Sequence, residues 1–309
     1  DIIAIRRSRL SRSSKRRHIN RVRRIFIKLF NNLRYEYRQT LRSIWRLKSC
    51  PLSNPTPAPT PQPPAPNSSK KALLLGLNYI NTSNELRGCI NDVNSIGQYL
   101  ESKSYSIRKL TDYTSPKPTR DTIITELTNF LQNGKEGDKL FFHYSGHGSK
   151  MRDNNNDEND DQDETLEGLD DKSVLDDELK EIIVTNLKQG VNLIALIDAC
   201  HSGTTLDLKY QYLNDDNSET IINNNIETKG NVHMIGGSKD YQFSVDAFIE
   251  DKWQGALSWA FNKTISTNPN VTWKELIEKM RSLLKGNGFT QIAQFASGKP
   301  MNVDEKIDL

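Results

Sequence analysis

From Lys70 onward the chain alternates two hydrophobic patterns. Four short runs are nearly continuous in apolar character: KALLLGLNY (71–79), KLFFHYSGHGS (139–149), VNLIALIDACHSG (191–203) and VHMIGGSKD (232–240). Each is about strand length, and unbroken apolarity suits a strand buried on both faces. Between them lie segments with helical spacing, at 91–102, 119–133, 176–188 and 253–266. In the second, Thr119 is placed to cap, and Ile123, Ile124, Leu127, Phe130 and Leu131 share one face. Strands alternating with helices predict an α/β domain over 70–309, its central sheet mainly parallel and flanked by helices on both faces. In such sheets reactive groups collect beyond the carboxyl ends of the strands. Ser145, His147, Asp198 and Cys200 all stand there.

Ahead of Lys70 neither pattern holds. Residues 1–49 are rich in Arg and Ser, with RIFIKLF (24–30) as the one apolar patch. Residues 1–50 carry sixteen Arg and Lys against two acids, and the rest of the chain carries 26 against 37. A basic arm joined to an acidic globule is the picture. Such an arm suits mitochondrial targeting, a nucleic-acid tail, a tether to an anionic membrane, or a merely solvated tail. No groove-reading motif accompanies it. Residues 50–69 hold eight of the twelve prolines, which predicts an extended spacer and a domain boundary. The cysteines are Cys50, Cys89 and Cys200, an odd and sparse set that argues against a disulfide framework. That fits a reducing, cytoplasmic setting, unless the leader directs the chain to the mitochondrion or a membrane. No run reaches the roughly 18 apolar residues of a membrane span. The chain begins at Asp1 rather than Met, as expected of a fragment or a processed form.

An apolar run that ends on Asp198 and Cys200 asks for a chemical reason. A nucleophilic cysteine needs an imidazole to raise its thiolate fraction and paired donors for the oxyanion. Cys200 follows one strand and His147 another, and neighbouring strands lie about 5 Å apart, so the two can converge. His143 and His201 are rival bases. His143 falls inside its strand run, where a packed histidine is expected, and the His201 side chain would point away from its neighbour.

With YSGHG and DACHSG 53 positions apart, the chain resembles the metacaspases, cysteine peptidases of the caspase-like fold. KALLLGLNY, ELRGCINDV (85–93), EGDKLFFHYSGHGS, DETLEGLDD (163–171), LDDEL (175–179), GVNLIALIDACHSGTTLDL, GGSKDYQFSVDA and GALSWAF resemble family blocks in family order, over about 70–300. The basic, Pro-rich leader is similar to the type I arrangement. The resemblance implies Cys200 as nucleophile, His147 as its partner, and the amides of Gly148 and Cys200 as the oxyanion hole. It implies a substrate pocket of Asp198, Asp92 and Ser145, with Cys89 beside it, selecting Arg or Lys before the cut. Carboxylates suit a cationic side chain, bidentately for Arg. Asp92 also suits plain capping of a helix starting near Val93. Departures include Ala199 in DACHSG and a shortened stretch before LDDEL.

The acidic run 153–178 is expected to be a solvated loop or a Ca²⁺ site. Asp153, Asn155, Asp157 and Glu164 fall at EF-hand spacing, but Glu158 stands where that loop needs Gly. The resemblance implies instead a calcium site of Asp163, Asp176, Asp177 and Asp207, activating and without a chemical step. It further implies a monomer that cleaves protein or peptide substrates after Arg or Lys, with self-cleavage at exposed basic sites such as Lys70, Lys71, Lys209 or Lys229. The rival readings are a catalytically weak caspase-like scaffold, a chain whose leader is its main function, and an Asp-selecting peptidase.

Overall fold

The computed structural model describes residues 68–152, 162–200, 205–213, 220–223, 225–237 and 246–309. All lie within the unit Pro63–Leu309. The leader 1–49, nearly all of the 50–69 spacer, the EF-hand-spaced residues 153–157, and His201 lie outside them.

The order is β1 (Lys70–Gly76), α1 (Cys89–Ser102), β2 (Ser106–Thr111), α2 (Arg120–Gln132), β3 (Lys139–Ser145), β4 (Gly148–Arg152), β5 (Gln162–Glu167), β6 (Ser173–Leu175) and α3 (Asp176–Asn186). There follow β7 (Asn192–Asp198), β8 (Tyr210–Tyr212), β9 (Ile221–Ile222), β10 (Asn231–Gly236), β11 (Asp246–Ile249), β12 (Lys252–Gly255), α4 (Ala256–Thr267), α5 (Trp273–Gly286) and β13 (Gln294–Ser297). The main sheet runs β2-β1-β3-β7-β10-β13-β8-β9. Its first five strands are parallel, and β13, β8 and β9 continue it antiparallel. The β4-β5-β6 and β11-β12 ladders stand apart.

Unbroken apolarity in the parallel strands has its expected cause. Along β7, Leu193, Ala195 and Ile197 pack into one core with Leu127 of α2 and Ile183 of α3. Ile194 and Leu196 pack into the other, with Ile96 of α1, Phe261 of α4 and Met280 of α5. Helices therefore cover both faces. Thr119 caps α2 by accepting the Thr122 amide, which is worth about 1 kcal/mol.

Three expectations are corrected. The 139–149 run is not one strand: it stops at Ser145 and the chain re-forms as β4, in the separate ladder. The α1 helix starts at Cys89, so Asp92 sits inside its first turn, buried, rather than capping from outside. Lys70 and Lys71 lie in β1, paired with β3 and half-buried, because the ladder extends to them. They are not exposed cleavage sites, and Lys209 is likewise half-buried, whereas Lys229 is exposed.

Candidate active site

Strand alternation sorts the side chains where β3 and β7 end. Tyr144 faces the α2–α3 layer, with Leu140 and Phe142. His143 and Ser145 turn the opposite way, toward α4 and α1, where they meet Ser258 and Asp92. Ser145 and Asp198 are register partners, and the Gly146 amide donates to the Asp198 carbonyl (3.2 Å). His147 and Cys200 each follow two residues on.

These two departing loops touch. A Cβ added at Gly148 would lie 2.3 Å from the Cys200 carbonyl oxygen and 3.0 Å from the Ala199 Cβ. Glycine is required for so close an approach. Cys200 is half-buried and in no disulfide. The His147 Nε2 lies 2.7 Å from the Asn84 carbonyl oxygen, and its ring stands 4.6 Å from the Tyr79 ring. A carbonyl only accepts, so Nε2 carries a hydrogen and Nδ1 is left to exchange a proton. The rival His143 is fully buried, with Nδ1 2.9 Å from the Leu196 carbonyl oxygen. Desolvation pushes its pKa down to about 4, which keeps it neutral.

On the α1–α4 side, Asp92 and Asp198 are both buried. Asp92 accepts the Gly255 amide at 3.0 Å on each oxygen and the Ser145 hydroxyl at 2.8 Å. Asp198 accepts the Ser258 amide at 2.8 Å and its hydroxyl at 2.7 Å. A Cβ at Gly255 would fall 2.3 Å from the Asp198 Oδ2 and 2.9 Å from the Asp92 Oδ2, so both carboxylates reach one point. That point is the N-terminus of α4, where unpaired amides and the helix dipole favour negative charge. Cys89 is buried one turn before Asp92.

Sequence reasoning missed Gly255 and Ser258, although both stand in the GALSWAF block that carries the resemblance. It also missed Tyr79, Asn84 and Tyr144. Segment 77–88 spans the site: Asn84 meets His147, and the Arg87 guanidinium lies 4.8 Å over the Trp253 ring of β12. A cavity of about 480 Å³ opens beside His147 and Gly148, lined also by Tyr79, Asn84, Glu167 and Asp171.

The expected calcium residues lie elsewhere. Asp163 is on β5, opposite Met151, and its side chain lies outside the described residues. Asp176 opens α3, buried, accepting the Glu164 and Asp177 amides at 2.8 Å each. Asp207 accepts from the Lys180 Nζ at 3.1 Å. β5, α3 and the 205–208 turn thus converge, and carboxylate oxygens are the donors a hard cation takes. Among the described residues, no three His, Cys, Asp or Glu side chains gather as a metal cage.

A family model described as "Metacaspase, peptidase C14 domain" matches residues 70–209. The chain is 35% identical to Metacaspase-1 of Eremothecium gossypii, over 76% of this chain and 65% of that protein. With Metacaspase-1B of Aspergillus terreus it shares 33% identity, over 76% of each chain. Metacaspase-1 of Schizosaccharomyces pombe is likewise 33% identical, over 76% of this chain and 68% of the other. Against the first of these the chain spans just under two-thirds of the relative's length. Among solved structures, a Geobacter sulfurreducens protein superposes with a TM-score of 0.59 at 22% identity, covering 77% of this chain and 97% of that one.

Proposed function

Since the chain belongs to the metacaspases, cysteine-type peptidases with the caspase-like fold, we propose that it is an endopeptidase cutting after Arg or Lys with Cys200 and His147. One observation carries the reading: the β3 and β7 ends deliver His147 and Cys200 to touching loops, beside a point that two buried carboxylates share.

In this mechanism Nδ1 of His147 draws the proton from Cys200, and the thiolate attacks the scissile carbonyl. The amides of Gly148 and Cys200 hold the tetrahedral oxyanion, one such donor being worth roughly 3 kcal/mol. The imidazolium then protonates the leaving amine. Water, deprotonated by the same imidazole, releases the acyl group and restores the thiol. Asn84 keeps the ring oriented by accepting from Nε2 throughout. Asp92 and Asp198 receive the cationic side chain before the cut, with Ser145 orienting Asp92 and Cys89 adjoining. The cavity beside His147 leaves room for residues after the cut.

Calcium is the proposed activator, held by Asp163, Asp176, Asp177 and Asp207. It would order the segments beside the site and supply no chemical step. Self-cleavage at Lys229, a monomeric state, a cytoplasmic setting, and contact of residues 1–49 with an anionic membrane or nucleic acid belong to the same proposal. No described helix is long and apolar enough to cross a membrane.

The test is kcat/KM on matched Arg, Lys and Asp peptides, for wild type and Cys200→Ala, with and without Ca²⁺. Turnover of the Arg and Lys peptides alone, lost in Cys200→Ala, is expected. Binding without turnover would favour the scaffold, and Asp cleavage the caspase-type specificity.

A further inference from the structure

Tyr79 and Tyr144 carry two buried hydroxyls that the proposed mechanism does not use. Their oxygens are 3.0 Å apart. The His147 amide donates to the Tyr79 hydroxyl at 3.0 Å, and the Tyr79 hydroxyl reaches the Glu167 carbonyl at 2.9 Å. The Glu167 amide donates to the Tyr144 hydroxyl at 3.1 Å, and that hydroxyl reaches the His147 carbonyl at 2.7 Å. A hydroxyl has one hydrogen to give and lone pairs to receive. The Tyr144 hydroxyl also lies 2.9 Å from the Glu167 carbonyl, and the Glu167 amide reaches the His147 carbonyl directly at 3.1 Å. One assignment that uses both hydroxyls has each amide donate to a tyrosine, and each tyrosine donate to the other residue's carbonyl. The ring is closed, and it takes in both backbone groups of the residue proposed as base.

We propose that Tyr79 and Tyr144 are positioning residues for catalysis, fixing the His147 backbone to β5 so that the imidazole stays aimed at Cys200. The inference rests on the reading of His147 as the base. Three further features support it. Tyr79 holds a left-handed backbone (φ 51°), which a bulky residue keeps only when its surroundings fix it. Its ring also flanks the imidazole at 4.6 Å. Gly146 leaves room for the pair, since a Cβ there would stand 2.7 Å from the Tyr144 hydroxyl and 3.0 Å from that of Tyr79. Burial raises both tyrosine pKa values, so the hydroxyls stay protonated and able to donate at working pH.

β5 gives the clamp a reach. Glu167 ends the strand whose second residue is Asp163, an expected calcium ligand. The five residues Asp163 to Glu167 thus join the proposed metal site to the histidine backbone.

The test uses Tyr79→Phe and Tyr144→Phe in the full chain, each removing one oxygen. Two quantities are read: kcat and KM on an Arg peptide, and the rate of Cys200 alkylation by iodoacetamide from pH 5 to 9. The expected result is a kcat fall of about tenfold or more with KM within about twofold, since small misplacements of a catalytic group are costly. The low-pH limb of Cys200 alkylation should shift toward that of His147→Ala. The double variant should be little worse than the poorer single, because the two hydroxyls belong to one hydrogen-bonded network. Wild-type kcat and alkylation profiles in folded variants, with only the melting temperature lowered, would overturn the proposal. Tyr79→Phe decides the matter if Tyr144→Phe does not fold. The alkylation profile decides it even if wild type cleaves no peptide, an outcome that would count against the peptidase reading instead.

Discussion

Two pairs of acids can be compared in this domain, one fully buried and the other made of buried Asp176 and half-buried Asp207, and they are kept in different ways. Asp92 and Asp198 are bound by amides and hydroxyls of Gly255, Ser258 and Ser145, at the start of α4. These donors and a helix N-terminus steady negative charge there. Asp176 and Asp207 border α3 also, but there Lys180 places an ammonium on Asp207. In the proposed reading the first pair receives a cation that comes and goes with substrate. The second already holds a built-in one, which an entering Ca²⁺ would have to move aside.

The comparison breaks most sharply at the first pair. Asp198→Asn should lower kcat/KM on an Arg peptide by about a hundredfold to a thousandfold, as expected when one partner of a buried ion pair is removed. Asp92→Asn should act similarly, with the double variant less than additive. Unchanged kinetics would make these acids mere ties for α4. Gly255→Ala should cost about tenfold or more, because its Cβ would displace the Asp198 carboxylate from 2.3 Å. Cys200 alkylation should survive that change, which separates pocket damage from damage to the cysteine.

At the second pair, Lys180→Met should tighten Ca²⁺ binding to the Cys200→Ala protein about tenfold by calorimetry, by removing a rival cation. Equal or weaker binding would mean that Lys180 does not compete. The smallest effect is on stability. His143 and His233 are each held near pKa 4 by burial, against 6.5 when exposed. The unfolded chain then binds more protons, so stability is full above about pH 6.5 and falls as the pH drops toward 4, by up to about 3 kcal/mol for each. Urea midpoints from pH 8 to 4 would show the slope, and His143→Gln should flatten part of it.

How much the sequence disclosed depends on the range of the forces. β1, β3, β7 and β10 were legible because a strand buried on both faces must be apolar throughout. β2 was not: SIRKLT alternates and buries only its last residues. α5 carried a readable signal, with Trp273, Leu276, Ile277, Met280 and Leu284 at helical spacing behind a Thr272–Glu275 capping box, yet it lay outside the segments assigned. Placing His147 and Cys200 required only strand order and the rule for strand ends. Tyr79 meets Tyr144 across 65 positions and Asp92 meets Gly255 across 163, and no local pattern encodes such hydroxyl and amide contacts. Lys180 illustrates the same limit, since nothing in LDDELK announces that its ammonium will meet Asp207.

The most direct measurement of the central claim is labelling by matched arginyl and aspartyl chloromethyl ketones, with the modified residue located by mass spectrometry. Fast alkylation of Cys200 by the arginyl reagent is expected, suppressed in His147→Ala and in Asp198→Asn, with Cys89 unlabelled. Equal labelling by both reagents, or arginyl labelling of Cys200 that ignores His147 and Asp198, would contradict it.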